Sequence, residues 1–331
     1  AEAGYLTNRE IFFLDALPRS LIVLGGGPVA IEMAQAFQRL GCQVTVIQRG
    51  RHILSREDAD MAAPVMEAME LEGVKVHLGA RVLSARAGGG LREVVFEKDG
   101  RELVARGEQI LVALGRVPNG EGLGLDAAGV AHSARGIEVD ERLRTTQKHI
   151  FAAGDATGRH MFTHAAGYEG GIVITNAVFR LPRKADYTWL PHCTFSDPEL
   201  AGMGLTETEA RAKGIEYTAF TERFEHNDRA LAEGLGEGRI KLLLDRRERP
   251  IGVHIVGAHA GELLGEWTAV LNGKVRLSTL AGTVHPYPTL CEISKRVAGN
   301  YFAGKLFSDT VKKGLHFLFH YKGRACTPPQ E

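Results

Sequence analysis

The sequence predicts an α/β fold followed by an α+β domain, and three observations carry that prediction. First, residues 20–27 (SLIVLGGG) form an apolar run ending in glycines, which passes at once into a helical pattern at 29–40 and a second apolar run at 43–47. Buried parallel strands read as unbroken apolar runs, and a surface helix repeats its apolar positions every turn, so this is a β-α-β unit. Second, three alternating segments lie between residues 81 and 105, split by Gly88-Gly89-Gly90 and Asp99-Gly100, which is the pattern of a small antiparallel meander. Third, beyond residue 186 strand patterns come before helix patterns instead of alternating with them, as in an α+β domain.

Taken in order, the β-α-β unit continues with a helix over 57–71 and a short strand at 74–78, and a strand at 109–114 closes it after the meander. Residues 119–181 form a separate block: a loop, a strand ending in Ile150-Phe151-Ala152-Ala153-Gly154-Asp155, and a helix rich in small residues from Thr163 onward. Residues 182–190 read as a linker. Strands are then expected at 216–224, 239–244 and 251–256, with helices at 261–271 and 289–303. There is no internal repeat and no low-complexity stretch, and disorder is expected only at the last few residues.

A chain of 331 residues exceeds one ordinary core and suits two or three domains. Lys plus Arg and Asp plus Glu both number 40, so no net field draws in nucleic acid or an anionic membrane. Small molecules and another copy of the chain are the expected partners. No apolar run approaches the roughly 20 residues needed to span a bilayer, and the start, AEAGYLTNRE, has neither a basic nor an apolar leader region. The expected location is the cytoplasm. Cys42, Cys193, Cys291 and Cys326 are scattered without C-x-x-C, C-x4-C or zinc-type spacing, so neither a disulfide framework nor a metal site is expected.

Gly25-Gly26-Gly27-Pro28-Val29-Ala30 fits the dinucleotide fingerprint G-x-G-x-x-A, and it follows a strand and opens a helix, the context that makes such a motif specific. In this Rossmann-like reading Gly25 makes the tight turn, Gly27 lets the backbone approach a pyrophosphate, and Ala30 lets helix pack on strand. The free N–H groups of the helix start then face the phosphates. At the end of the second strand an NAD site would place Asp or Glu, yet the chain has Gln48-Arg49-Gly50-Arg51 there. Arginines at strand ends are usually solvated, but Arg49, with Arg51 or Arg56 behind it, can pair with a 2′-phosphate through forked hydrogen bonds. NADP is therefore expected in preference to NAD.

Five blocks in order, LIVLGGGPVAIEMAQAF, ILVALGRVPN, HIFAAGDATG, TFSDPELAGMGLTETEA and HPYPTLCE, resemble the class I pyridine nucleotide-disulfide oxidoreductases, the family of glutathione reductase, dihydrolipoamide dehydrogenase and mercuric reductase. The resemblance implies residues 1–18 as the end of an FAD domain, 19–118 as an NAD(P)-binding domain, 119–185 as the C-terminal part of the FAD-binding domain, and 186–331 as a dimerisation domain. It places Glu32 near the nicotinamide; read bare, Glu32 is an acid in the first turn, where the helix dipole favours it. Gly115-Arg116 resembles the return to the flavin domain. Gly154-Asp155 is similar to the second FAD motif, in which the carboxylate binds the ribityl chain. Met161-Phe162-Thr163-His164 falls where the family sets a helix N-terminus against the flavin ring; without the family, His164 is a surface or capping histidine.

In the disulfide reductases a His-Pro-Thr segment followed by Glu gives an acid-base pair to the partner subunit's site. Aligning Pro288-Thr289 and Glu292 puts Tyr287 where that histidine belongs, with His285 two residues early, a departure that resembles mercuric reductase. A phenol with a pKa near 10 is a poor base at neutral pH, so exchange with a large organic disulfide is disfavoured. The tail from Arg324 to Glu331 holds one thiol, Cys326, where mercuric reductase has a vicinal pair, and Cys291 reads as a small buried hydrophobe sooner than a ligand.

The family opens with an FAD fingerprint and a C-x4-C pair. Neither is in this sequence, so the resemblance implies that a preceding segment of the gene product, or a separate chain, supplies them. The expectation is an FAD- and NADPH-dependent reductase, homodimeric, delivering electrons to a dithiol, a metal ion or another small acceptor. Its rivals are a non-catalytic NADP-binding dimer and a flavin-dependent oxidase or diaphorase without thiol chemistry.

Overall fold

The computed structural model describes residues 3–319. Strands β1 (Ser20–Leu24), β2 (Gln43–Ile47), β3 (Lys75–His77), β4 (Arg81–Gly88), β5 (Leu91–Lys98), β6 (Arg101–Gly107) and β7 (Gln109–Val112), with helices α1 (Pro28–Arg39) and α2 (Ala59–Leu71), make the first unit. Its parallel sheet runs β3-β2-β1-β7, and β4-β5-β6 form the expected antiparallel meander beside it. Leu21, Ile22, Val23 and Leu24 are all buried because β1 is central and covered on both faces. Each such side chain contributes roughly 1.5–3 kcal/mol by leaving water. Ala30, Ile31 and Ala34 turn the inner stripe of α1 onto the sheet, and the two alanines let the helix axis approach closely.

The middle block has the short hairpin β8 (His132–Ser133) and β9 (Gly136–Ile137), a 3-10 turn at Gly154–Thr157, and α3 (Thr163–Ala177). The strand expected to end at Asp155 does not form: a single bridge, Arg144 to Phe151, is its only pairing among the described residues. A run of strand-type residues becomes a strand only where another backbone accepts its hydrogen bonds.

The C-terminal unit is a five-stranded antiparallel sheet in the order β10-β11-β14-β13-β12: β10 (His192–Thr194), β11 (Glu199–Gly204), β12 (Tyr217–Arg223), β13 (Arg239–Asp245) and β14 (Pro250–Gly257). Helices α4 (Glu207–Ala212), α5 (Asp228–Glu233), α6 (Ala260–Asn272), α7 (Leu277–Gly282), α8 (Glu292–Leu306) and α9 (Asp309–Phe319) surround it. Ala201, Met203, Ile240, Leu242, Leu244, Val253 and Ile255 face α6 and α8, whose Trp267 is buried with its Nε1–H donating to Ser294 Oγ at 3.0 Å. The residues between them in sequence, Leu200, Lys241, His254 and Val256, are buried too, although they point to the opposite face. That face is covered by the first unit: Leu200 and Val256 share one apolar cluster with Ile31, Met61 and Val65. The two units are thus packed core to core.

β10 and β11 were not foreseen. Each glycine of Glu199–Gly204 marks a close approach: a Cβ on Gly202 would come within 2.4 Å of the His254 ring, and one on Gly204 within 2.4 Å of the Ile251 carbonyl oxygen. Helix α8 begins at Glu292, three residues later than its predicted start. Among the described residues no helix is long and apolar enough to cross a membrane. Cys326 and the tail from Arg324 lie outside the described residues.

Candidate nucleotide and flavin site

The glycines at the end of β1 divide the work. Gly25 adopts φ +117°, and a Cβ there would lie 2.5 Å from the Ala113 carbonyl oxygen, so only glycine fits the turn. A Cβ on Gly26 would strike the Gln48 side chain at 2.9 Å, and the Leu54 N–H donates to the Gly26 carbonyl at 2.6 Å, pinning the loop from below. At Gly27 a Cβ would meet nothing within 4 Å. The open side of Gly27 leads to the start of α1, where Pro28 is the first helical residue and no side chain caps the helix. The first-turn amides, partly positive through the helix dipole, are thereby left to an anion, and the loop fits a pyrophosphate. Ala30 is fully buried against the sheet and Val29 is half-buried.

Beyond β2 the Gln48 side chain lies over Gly26 and Gly50. Arg49, Arg51 and Arg56 are exposed and have no ion pair among the described residues. No carboxylate stands at the end of β2.

Glu32 is the fifth residue of α1, so it lies beyond the first turn, contrary to the dipole expectation. Its carboxylate is fixed instead by the C-terminal unit: the Phe195 N–H donates to Glu32 Oε1 at 2.9 Å. One turn on, Gln35 is buried; its Nε2 donates to the Asp197 carbonyl at 2.7 Å and its Oε1 accepts the Asp197 N–H at 2.8 Å. Another turn on, Arg39 pairs with Asp197 Oδ2 at 2.8 Å and Glu72 at 2.6 Å. A polar stripe at helical spacing thus grips the extended segment 195–197 as a neighbouring strand would. Gln35→Leu is expected to orphan both Asp197 backbone groups and destabilise the chain by about 1–3 kcal/mol, read from urea unfolding. A midpoint unchanged from the parent would show that the grip contributes nothing.

In the middle block Arg116 Nη1 donates to the Met161 carbonyl and lies 3.8 Å from Asp155 Oδ2. Gly115 stands just before it at φ +149°. Gly154, at φ +69°, donates its N–H to the buried Glu169 at 2.5 Å, and Tyr187 donates its hydroxyl to the same carboxylate at 2.6 Å. This holds the turn so that the Asp155 carboxylate faces outward, exposed. Thr163 begins α3, which has no side-chain cap, and Phe162 at its N-cap stacks on His164 and His192. His164 is anchored by its Nε2, 2.8 Å from the Pro191 carbonyl. Uncapped amides above an exposed carboxylate suit a ligand with an anionic ring and a hydroxylated chain, so the residues expected to hold FAD fit that group on one side.

Tyr287 is exposed and donates its hydroxyl to Asp228 Oδ2 at 2.8 Å, an interaction that raises its pKa. Glu292 sits at the start of α8 with the Thr289 N–H 3.5 Å away and does not touch Tyr287. The buried His285 faces Glu266 at 2.8 Å. Asp228 and Glu266 were missed by sequence reasoning, since both are remote in the chain. Cys193 is half-buried; burial and nearby Glu199 push its thiol up to about 12, so it is no thiolate at neutral pH.

Comparisons with known proteins agree with this arrangement. A family model described as pyridine nucleotide-disulphide oxidoreductase matches residues 2–170, and the dimerisation domain of the same family matches residues 190–298. Mercuric reductase of Bacillus cereus is 33% identical over 293 residues, 88% of this chain and 46% of its own length. Dihydrolipoyl dehydrogenase of Bacillus subtilis is 33% identical over 87% of this chain and 62% of its own length. The chain therefore spans about half to two thirds of the curated relatives it matches. Among solved structures, the HOCl-induced flavoprotein disulfide reductase RclA from Escherichia coli superposes with a TM-score of 0.81 at 26% identity, over 90% of this chain and 68% of that one. LpdA from Mycobacterium tuberculosis gives 0.82 at 30% identity, over 89% of this chain and 64% of that one. By sequence, by fold and by the build of its phosphate loop, this chain belongs to the pyridine nucleotide-disulphide oxidoreductase family.

Proposed function

We propose that this chain binds NADPH across the start of α1 and works, as a homodimer, as the nucleotide-binding part of a flavoprotein that reduces a dithiol, a metal ion or another small acceptor. Gly27 carries this proposal: it leaves open the one side of the loop from which a phosphate reaches the first-turn amides. When bound, the coenzyme supplies a hydride and FAD accepts it. The chain's own part is alignment. Glu32, held by Phe195, borders the nicotinamide end; Gly115, Arg116, Gly154 and Asp155 orient the ribityl side; and the start of α3, Met161 to His164, stabilises negative charge. Tyr287, its phenol raised by Asp228, acts as a hydrogen-bond donor and not as a base.

The preference for NADPH rests on Arg49, Arg51 and Arg56 standing without an ion pair among the described residues, where a carboxylate would otherwise select NADH. Calorimetric titration of the purified chain is expected to give NADPH the lower Kd by about tenfold or more, since one charge-assisted hydrogen bond is worth roughly 1.5–3 kcal/mol. Arg49→Ala should shrink that margin while leaving NADH binding unchanged. A parent chain that prefers NADH would sink the assignment. A visible spectrum separates the catalytic reading from a bare nucleotide-binding dimer: a flavin band that bleaches with NADPH supports the former, and a colourless protein that still binds NADPH supports the latter.

A further inference from the structure

Glu57 closes the segment that carries Arg49, Arg51 and Arg56, just ahead of α2, and its side chain is buried against the C-terminal sheet. His192 Nε2 lies 2.6 Å from Glu57 Oε1. His254 Nδ1 lies 3.5 Å from Glu57 Oε2, and neither atom has a hydrogen-bond partner. His254 is 1% exposed and seated in the space that Gly202 leaves.

Elementary hydrogen-bond logic fixes the proton count. His254 Nε2 stands 3.0 Å from the Leu205 carbonyl oxygen, which can only accept, so Nε2 carries a hydrogen. Nδ1 then bears a hydrogen only if the ring is an imidazolium. A neutral ring would aim the Nδ1 lone pair at a buried carboxylate oxygen 3.5 Å away, a repulsive contact. One proton must therefore lie between His254 and Glu57.

We propose that Glu57, His192 and His254 form a proton-dependent latch that fixes the far end of segment 48–57 against the C-terminal sheet, making His254 a positioning residue for the guanidinium groups that read the coenzyme's 2′-phosphate. This rests on the nucleotide reading above. The segment is tied at its start by β2 and by the Gly79 N–H on the Gly50 carbonyl, in its middle by the buried Ile53 and Leu54 and the Leu54 to Gly26 bond, and at its far end, beside Arg56, by the side chains of Glu57 and Asp58. His192 also stands three residues before Phe195, so the latch steadies the backbone that holds Glu32.

The charged groups around His254 come from every neighbouring element. Glu57 and Asp58 face it from the nucleotide unit, Lys241 is its cross-strand partner on β13, His192 lies on β10 with ring centroids 6.5 Å apart, and β11 offers only Gly202. Lys241 is itself matched by Asp60 and Glu207. Burial disfavours the His254 cation, but the Glu57 carboxylate 3.5 Å away holds its pKa above the ordinary value. Burial likewise raises Glu57, and the two histidines outweigh it and hold the carboxyl well below its usual range. A raised histidine stabilises fully below its unfolded pKa and loses that contribution as pH climbs through the folded one; a depressed carboxyl loses its own as pH falls through its folded value. The latch is closed between these limits, which includes neutral pH.

The test has two arms on the intact chain. Imidazole nitrogen NMR is expected to show both nitrogens of His254 protonated at about pH 7.5, above the ordinary histidine pKa of about 6.5. A neutral ring at that pH overturns the proposal. In the second arm the Kd for NADPH is followed from about pH 7.5, where a phosphate monoester with a second pKa near 6 is almost fully ionised, to about pH 9.5. A rise of about fivefold or more across one proton step is expected, with NADH changing less. Glu57→Gln, whose amide can donate to a neutral His254, should abolish the step. A step that survives in Glu57→Gln, or an NADPH Kd that does not move with pH, overturns the proposal. If neither coenzyme binds while His254 remains an imidazolium, the nucleotide reading fails and the latch itself is supported.

Discussion

Replacing Gly27 by valine is expected to leave the fold intact and weaken NADPH binding about a hundredfold or more. Gly27 has φ −82° and ψ 177°, an extended conformation that valine adopts without strain, and its Cβ would meet no atom within 4 Å. Nothing in the folded chain opposes the substitution. The added methyl groups instead fill the path by which a phosphate reaches the amides of α1, and each charged hydrogen bond lost there is worth roughly 1.5–3 kcal/mol. Gly25→Ala is the informative contrast. At φ +117° and 2.5 Å from the Ala113 carbonyl oxygen, an added Cβ should lower stability by about 1–3 kcal/mol before any ligand is considered. Thermal unfolding and NADPH titration of the pair separate folding from binding. A Gly27→Val protein that binds NADPH as the parent does would mean the phosphates lie elsewhere.

Lys241→Met is expected to destabilise the chain by about 3–5 kcal/mol at neutral pH. Lys241 is 2% exposed, yet its ammonium reaches Asp60 at 2.6 Å, Glu207 at 2.7 Å and Asp58 at 3.6 Å. These three carboxylates lie within 4.8 Å of one another, the spacing of a metal site, and here the cation among them is the lysine. Asp58 is committed twice over, since it also accepts from the Glu207 and Thr208 N–H groups and so caps α4 from the other unit. Removing the ammonium leaves mutually repelling, partly buried carboxylates, whereas Asp60, half exposed, keeps some hydration and moderates the loss.

The pH response distinguishes this from simple loss of packing. In the parent, burial raises Asp58 and Glu207, while backbone N–H groups and Lys241 bring them below their ordinary values. Depressed carboxyls contribute stability above their unfolded pKa and lose it as pH falls through the folded one, so the parent weakens in acid. Without Lys241 the repulsion is relieved by protonation, and the gap between variant and parent should narrow as pH falls toward about 4. Urea unfolding at several pH values reads this directly. A constant gap would assign the loss to packing.

How much of this was legible in the chain depends on the range of the interaction. The β1-α1-β2 unit was readable because its signals are adjacent: an unbroken apolar run, a glycine turn and a helical stripe report on the same few residues. The meander was readable because its turns carry their own chemistry. What holds Glu32 was not visible, since its partner Phe195 lies 163 residues away. Gln35 and Arg39 carry no local sequence signal for their roles, which come from segment 195–197 packing opposite them. Tyr287 could be aligned with a family position, yet its hydroxyl partner Asp228 belongs to another helix.

The sequence by itself determined which segments are strands and helices in the first unit, where the glycine loop between β1 and α1 stands, and that no carboxylate ends β2, because periodicity and turn chemistry act between neighbours. Only the tertiary structure decided that the segment before Asp155 pairs at a single bridge and forms no strand, that Glu199–Gly204 becomes a strand despite its glycines, and that Glu57 and Lys241 are buried in charged company. Hydrogen bonds and ion pairs need a partner at about 3 Å, and the chain brings those partners together only when two cores pack.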